Sequence, residues 1–200
     1  KAAPCLRGDA TMAIKDIPAT WDLRFTLPDR EDPREISESW AIELDEPLEY
    51  VGQHYSFPGP VNVKARGHWV KPEFYVEISI QGSAAVPCSR CLDIASIALN
   101  GKFGYLYGLR SGGEENGPDS GDESYIRLPS LGAFLDITQQ VWDSLILLLP
   151  QTVLCKEDCL GLCPRCGANL NYGKCGCKGE DTDPRLEIFR KIRKEIDEDQ

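Results

Sequence analysis

Apolar and polar side chains alternate at period two through about the first 100 residues, the pattern of strands with one buried face. Leu23, Phe25 and Leu27 share one face, and Trp40, Ile42 and Leu44 share another with Glu43 opposite. Val61, Val63, Ala65 and Trp69 alternate with Asn62, Lys64, Arg66 and His68. Phe74, Val76, Ile78 and Ile80 then alternate with Glu73, Tyr75, Glu77, Ser79 and Gln81. Lys71-Pro72 between these two runs predicts a hairpin turn. Past residue 91, Ile97, Leu99, Phe103, Tyr105 and Tyr107 continue the same period. The pattern predicts a half-buried, meander-like antiparallel sheet.

The period changes near residue 136. Asp136 reads as an N-cap, with Gln139 three residues on to complete a capping box. Behind it Ile137, Val141, Trp142, Leu145, Ile146, Leu148 and Leu149 predict a buried helix over 136–149 that stops at Pro150. So many apolar positions mark core rather than a site. A second helix, 184–196, is expected to open at Asp183-Pro184 and to bury Leu186, Ile188, Phe189, Ile192 and Ile196. Arg190, Lys191 and Lys194 lie off that stripe, beside Glu187, on what reads as a solvated face. Residues 110–124 contain no apolar residue and predict a flexible acidic loop. The fold class is thus α+β: a mainly antiparallel β-sheet packed by a buried helix over 1–150, then a cysteine-rich, zinc-ribbon-like tail with a terminal helix over 151–200.

The cysteines change the picture most. Eight of nine form close pairs: Cys88/Cys91, Cys155/Cys159, Cys163/Cys166 and Cys175/Cys177. Zinc takes four thiolates tetrahedrally, and a two-residue gap lets one tight turn present two sulfurs. In Cys163-Pro-Arg-Cys166-Gly167, Pro164 pre-sets a turn dihedral and Gly167 can take the positive φ expected just past the second ligand. Disulfide frameworks belong to short secreted chains without a core, whereas these 200 residues are 42% hydrophobic. A thioredoxin-like pair belongs at a helix start in a βαβ context, and none is visible around Cys88 and Cys91. An iron–sulfur cluster also takes four thiolates, so spacing alone leaves iron open beside zinc. Cys5 is left over and reads as a free thiol.

Cys163, Cys166, Cys175 and Cys177 are close enough in sequence to close one site among themselves. Cys88, Cys91, Cys155 and Cys159 are left for a second, which would tie a strand hairpin to the segment leaving the buried helix and restrain the unfolded chain. A closed four-thiolate site has no open position to activate water, so both sites are expected to be structural, with two zinc ions.

Charge divides the chain. The net charge is −10, which argues against broad non-specific nucleic-acid binding. Residues 155–194, however, carry nine Lys/Arg against six Asp/Glu, and the rest carries 13 against 26. A contact to RNA is therefore expected in the tail, with Lys156, Arg165, Lys174, Lys178 and Arg185 on phosphates and Tyr172 stacking on a base. No run reaches the ~20 apolar residues of a membrane span. Leu145–Leu149 is the longest apolar stretch and ends at Pro150. Reduced, metal-binding cysteines fit a cytoplasm or an organelle stroma.

Cys155-x-x-x-Cys159-Leu-Gly-Leu-Cys163-Pro-x-Cys166-Gly-x-Asn169-Leu-Asn171, with Cys175-x-Cys177, Asp183-Pro-Arg-Leu186 and the earlier Cys88-x-x-Cys91-Leu, resembles the YceD-like proteins. These form the large ribosomal RNA subunit accumulation family of bacteria and plastids. Some members lack the later knuckles and keep the pair at 88/91 with partners near 155 and 159, in line with the two-site pairing. The resemblance implies a role in accumulation or maturation of large-subunit ribosomal RNA, in a cytoplasm or, for a plant source, a plastid stroma. It implies no catalytic activity. The expected partners are that RNA or its precursor, a basic large-subunit ribosomal protein, or both, with no membrane and no small-molecule substrate. One alternative is an acidic, protein-only adaptor for a basic ribosomal protein. A thiol or metal enzyme is the other, disfavoured because His54 and His68, the two histidines, sit beside no nucleophile or carboxylate pair in a recognisable arrangement.

Overall fold

The computed structural model describes residues 17–32, 34–109 and 124–177. The chain separates into two compact units between Cys159 and Leu160, so residues 151–159 go with the sheet. The expected helix 184–196, Cys5, Lys178, Arg185 and all of the acidic loop except Ser124 lie outside the described residues.

The first unit is built on a five-stranded sheet. Its strands are β2 (Ile36–Ile42), β5 (Val61–Val70), β6 (Glu73–Pro87), β7 (Ile94–Leu109) and β8 (Tyr125–Leu128), in the order β2-β5-β6-β7-β8. Two short pairs complete it: β1 (Arg24–Thr26) with β9 (Phe134–Asp136), and β3 (Leu48–Tyr50) with β4 (Gln53–Tyr55). The helix α1 (Thr138–Leu148) follows. Strands β5 and β6 join at Lys71-Pro72 as the alternation predicts, and β5, β6 and β7 pair antiparallel. The sheet departs from a pure meander at one edge, where β8 runs parallel to β7 with Leu106 opposite Tyr125. A parallel neighbour cannot follow through a tight hairpin, and β7 and β8 are well separated along the chain. The Ser124 carbonyl accepts the Leu106 N–H at 2.8 Å, starting that pairing.

Strand period sorts the side chains cleanly. Phe74, Val76, Ile78, Ile80, Ala84 and Val86 of β6 are all buried, while Tyr75, Glu77, Ser79 and Gln81 point to the other face. Helix α1 covers the apolar face, burying Val141, Trp142, Ser144 and Leu145. The Tyr105 hydroxyl reaches it, sharing a 2.8 Å hydrogen bond with Ser144 Oγ. Trp21 meets Trp142 edge-on at 5.6 Å between ring centroids, and Ile137 N–H donates to the Leu23 carbonyl at 3.0 Å. Burial of each such aromatic or aliphatic side chain is worth roughly 1.5–3 kcal/mol.

The expected capping box at Asp136 does not form. Asp136 ends β9, and its carboxylate accepts the Thr138 N–H at 2.9 Å from just outside the helix. The N-cap is Ile137, which has no side-chain acceptor, and Gln139 donates forward to Asp143 at 2.8 Å instead of back. Pairing of β9 with β1 holds Asp136 extended, and the helix starts one turn-forming residue later.

Gly67 shows how tightly the core face is filled. A Cβ there would stand 2.6 Å from Phe74 Cε1 and 2.9 Å from Phe25 Cε1, and both rings are fully buried. Gly67→Ala is expected to cost about 1–3 kcal/mol of stability through overpacking. Urea unfolding checks this, and an unchanged midpoint would show that the two rings can move aside.

Candidate metal centres

The turn joining β6 to β7 carries the first cysteine pair. The ladder runs on past Pro87 opposite Ile94, since Cys88 N–H donates to the Asp93 carbonyl at 2.8 Å. Leu92 N–H closes the turn onto the Cys88 carbonyl at 2.9 Å. Both thiols are thereby aimed into the protein: Cys88 is 0% exposed and Cys91 is 3% exposed. The segment leaving α1 brings the second pair. Ser89 N–H donates to the Val153 carbonyl at 2.8 Å, and Val153 N–H donates to Ser89 Oγ at 3.3 Å. Tyr55, fully buried at the end of β4, donates its hydroxyl to the Pro150 carbonyl and fixes the same segment from below. Arg90 then donates to the Cys159 carbonyl at 3.0 Å. Cys88 and Cys159 sulfurs come to 3.8 Å, and those of Cys91 and Cys155 to 3.5 Å.

The second unit repeats the same turn. Cys163 N–H donates to the Ala168 carbonyl at 2.8 Å, and Gly167 N–H to the Cys163 carbonyl at 2.9 Å. The spacing of donor and acceptor is that of Cys88/Asp93 and Leu92/Cys88. A bridge between Leu162 and Asn169 extends this turn as the ladder extends the first. Asn169 and Asn171 brace it: Asn171 Nδ2 donates to Asn169 Oδ1 at 2.9 Å, and Asn171 Oδ1 accepts the Leu160 N–H at 3.0 Å. The Cys175 sulfur lies 3.4 Å from that of Cys163.

Two sets of four sulfurs result, Cys88/Cys91/Cys155/Cys159 and Cys163/Cys166/Cys175/Cys177, each with all four atoms within 4.8 Å of one another. All eight cysteines are free. A disulfide would hold two sulfurs near 2.05 Å, whereas a tetrahedral ion with bonds of ~2.3 Å spaces its sulfurs roughly 3.8 Å apart. The donor set and its spacing fit a metal ion in each set, and the grouping is the one expected from sequence separation.

The protein prepares one thiolate in each set. Burial raises Cys88, but backbone amides of Cys91, Arg90 and Cys155 more than offset it and bring its pKa to about 6. Cys163 is brought to about 6 chiefly by the backbone amides of Cys166 and Arg165. Others resist ionisation: burial first, then the thiols of Cys155, Cys88 and Cys159, holds Cys91 well up, while Cys166 and then burial push Cys177 up to about 12. The turn thus favours the thiolate at the first sulfur of each knuckle, while Cys91 and Cys177 would ionise more readily beside a bound cation.

The residues proposed from charge for RNA contact are distributed differently. Tyr172 is 82% exposed, and Arg165 and Lys174 are exposed with it in the second unit. Lys156 belongs to the first unit and lies 3.8 Å from Asp158. Among the described residues, no helix is long and apolar enough to cross a membrane.

The two knuckles carry different residues just after the second cysteine. The residue after the second cysteine is left-handed in both, with φ +70° at Gly167 and +64° at Leu92. A leucine in that region costs roughly 1–2 kcal/mol that glycine or asparagine avoids. Leu92 is 64% exposed, so its side chain repays little of this by burial. Leu92→Asn should raise the melting temperature of the metal-loaded protein and leave its metal content unchanged, and a lowered melting temperature would mean that Leu92 has packing value.

A family model described as "Large ribosomal RNA subunit accumulation protein YceD" matches residues 76–193, a span that includes both cysteine sets. Uncharacterized proteins of Mycobacterium tuberculosis and Mycobacterium bovis are each 31% identical over 120 residues, covering 54% of this chain and 52% of the relative. The large ribosomal RNA subunit accumulation protein YCED homolog 1, chloroplastic, of Arabidopsis thaliana is 31% identical over 74 residues, covering 37% of this chain and 23% of that protein. The chain thus spans about half the length of the mycobacterial relatives it matches. No solved structure matches. With both knuckles inside the matched span, the chain belongs to the YceD family of large ribosomal RNA subunit accumulation proteins.

Proposed function

We propose that this protein is a non-catalytic factor for large-subunit ribosomal RNA accumulation and ribosome assembly, with zinc in both four-cysteine sites. The observation that carries the proposal is the family match over residues 76–193, which takes in both cysteine sets. Zinc is the metal that best suits closed, all-thiolate, tetrahedral sites of a structural kind. When bound, it would neutralise the crowded thiolates and cross-link the β6–β7 turn to the segment after α1. With all four positions taken by sulfur, neither site has room for a substrate or an activated water. His54 is exposed, and His68 packs its ring 5.5 Å from that of Tyr75.

In this reading the partner is large-subunit rRNA or its precursor, met by the exposed second knuckle with Arg165, Tyr172 and Lys174, and by Lys156, Lys178 and Arg185. The compartment is a bacterial cytoplasm, or a plastid stroma if the source is a plant. The net charge of −10 favours one other reading, a protein-only adaptor that holds a basic ribosomal protein.

Ultraviolet cross-linking of the tagged protein in its own cells, with sequencing of the attached RNA, separates the two. Large-subunit rRNA or its precursor should be enriched well over an untagged control, and Cys163→Ser should abolish that enrichment. No enrichment over the control would refute direct RNA contact and leave the adaptor.

A further inference from the structure

The side of the sheet away from α1 is polar and, for this chain, unusually basic. Its residues stand in register across four strands. Ser39, Lys64, Ser79 and Lys102 form one row, and Ala41, Asn62, Gln81 and Asn100 form the next. A third row holds Ser37, Arg66, Glu77 and Gly104, and a fourth holds His68, Tyr75 and Leu106. Between them lies an open depression of about 520 Å3, lined among others by Lys64, Arg66, Lys102, Asn62, Gln81 and Asn100. No carboxylate lines it. Glu77 borders it, opposite Arg66 and 3.5 Å from Lys102, in a surface pair that counts for little in water. Among the described residues, Lys64 and Arg66 form no ion pair. In a chain with 32 acidic and 22 basic residues, three cations around a depression whose lining holds no acid are a local reversal of the overall field.

An aromatic platform adjoins the depression. A Cβ at Gly104 would come within 2.6 Å of Tyr75 Oη and 3.0 Å of Tyr75 Cε2. The bare glycine is what allows the Tyr75 ring to lie across β7 instead of standing off the sheet. His68 is beside it, 5.5 Å between ring centroids.

From this arrangement we infer that the polar face of β2, β5, β6 and β7 is a binding surface for single-stranded RNA, distinct from the cysteine tail. Lys64, Arg66 and Lys102 meet phosphates, Asn62, Gln81 and Asn100 offer both donors and acceptors to base edges, and Tyr75 with His68 stacks a base. An acidic peptide would use the three cations but leave the amide row and the aromatic pair without a role. The inference rests on the ribosomal reading for its choice of RNA, but the geometry that carries it is independent of the zinc sites.

The test uses the purified, metal-loaded full chain and a labelled, mixed-sequence single-stranded RNA oligonucleotide. The variant Lys64→Glu/Arg66→Glu/Lys102→Glu should bind at least about tenfold more weakly, and the slope of log K against log salt should become shallower by about 2, from three lost phosphate contacts. Its melting temperature and metal content should match the wild type, because all three side chains reach solvent. Peptide mapping of ultraviolet cross-links on the wild-type protein gives a second readout that needs no variant. RNA adducts in residues 61–83 and 99–107 support the surface, whereas adducts confined to 150–177, with undiminished binding by the triple variant, overturn it. Equal competition by polyglutamate and by unlabelled RNA overturns it too, in favour of an acidic protein ligand. Because the protein is purified, oligonucleotide binding at this face without rRNA enrichment in cells would count against the ribosomal reading alone. The converse result would count against this surface alone.

Discussion

The register between β6 and β7 is the constraint on which everything else depends. From Phe74 opposite Tyr107 to Pro87 opposite Ile94, one unbroken antiparallel ladder decides which side chains face α1 and which face solvent. Side chains alternate at period two, so a slip of one residue would exchange Val76, Ile78 and Ile80 for Tyr75, Glu77 and Ser79 in the core. Burial of the apolar set forbids that exchange. The same ladder ends in the Cys88–Asp93 turn, so the register also places the first two sulfurs. Core, polar face and metal centre are three consequences of one pairing.

The two cysteine sets would act on the chain at different ranges once metal is bound. The first joins residues 64 to 71 positions apart, and an ion there would pin the segment after α1 to the far end of the long β6–β7 hairpin. Cys88, Cys91 and Cys159 are buried while Cys155 is exposed, and burial raises the Cys91 thiol, so a cation bound there would couple metal loading to folding. The second is local and organises a short unit that contains one isolated bridge and no strand among its described residues. Its described residues bury little apolar surface, and four bonds to one ion could hold such a segment in shape. Both are built on the same amide-to-carbonyl pattern, once at the end of a long hairpin and once beside a single isolated bridge.

Much of this was legible in the residues. Alternation identified β2, β5, β6, β7 and the turn at Lys71-Pro72, because long strands with one dry face leave a clear period. It also located α1, whose Val141, Trp142 and Leu145 bury as their spacing requires. The cysteine spacing anticipated both clusters, and Gly167 took the positive φ expected of it. What escaped notice were elements too short to carry a period: β8, β9 and the β3–β4 hairpin, with three or four residues each. The β3–β4 turn is formed by Val51 and Gly52, both at positive φ, and a β-branched residue gives no hint of such a turn. The Asp136 cap was misplaced because pairing with β1 keeps that residue extended. The basic depression was also invisible, since Lys64, Arg66 and Lys102 belong to different strands and read singly as ordinary solvent-facing positions.

Charge on this protein is arranged locally and against the global balance. Backbone amides lower the Cys88 and Cys163 thiols, and strand pairing gathers cations on one sheet face of a chain with a net charge of −10. A closed metal site confers shape, whereas an open one would confer chemistry. X-ray absorption at the metal edge of the purified full chain distinguishes the two most directly. Four sulfur neighbours per zinc at about 2.3 Å, with no lighter scatterer in the shell, is the predicted result. A nitrogen or oxygen neighbour in either site would mean an open coordination position, and would contradict a purely structural role for the metal.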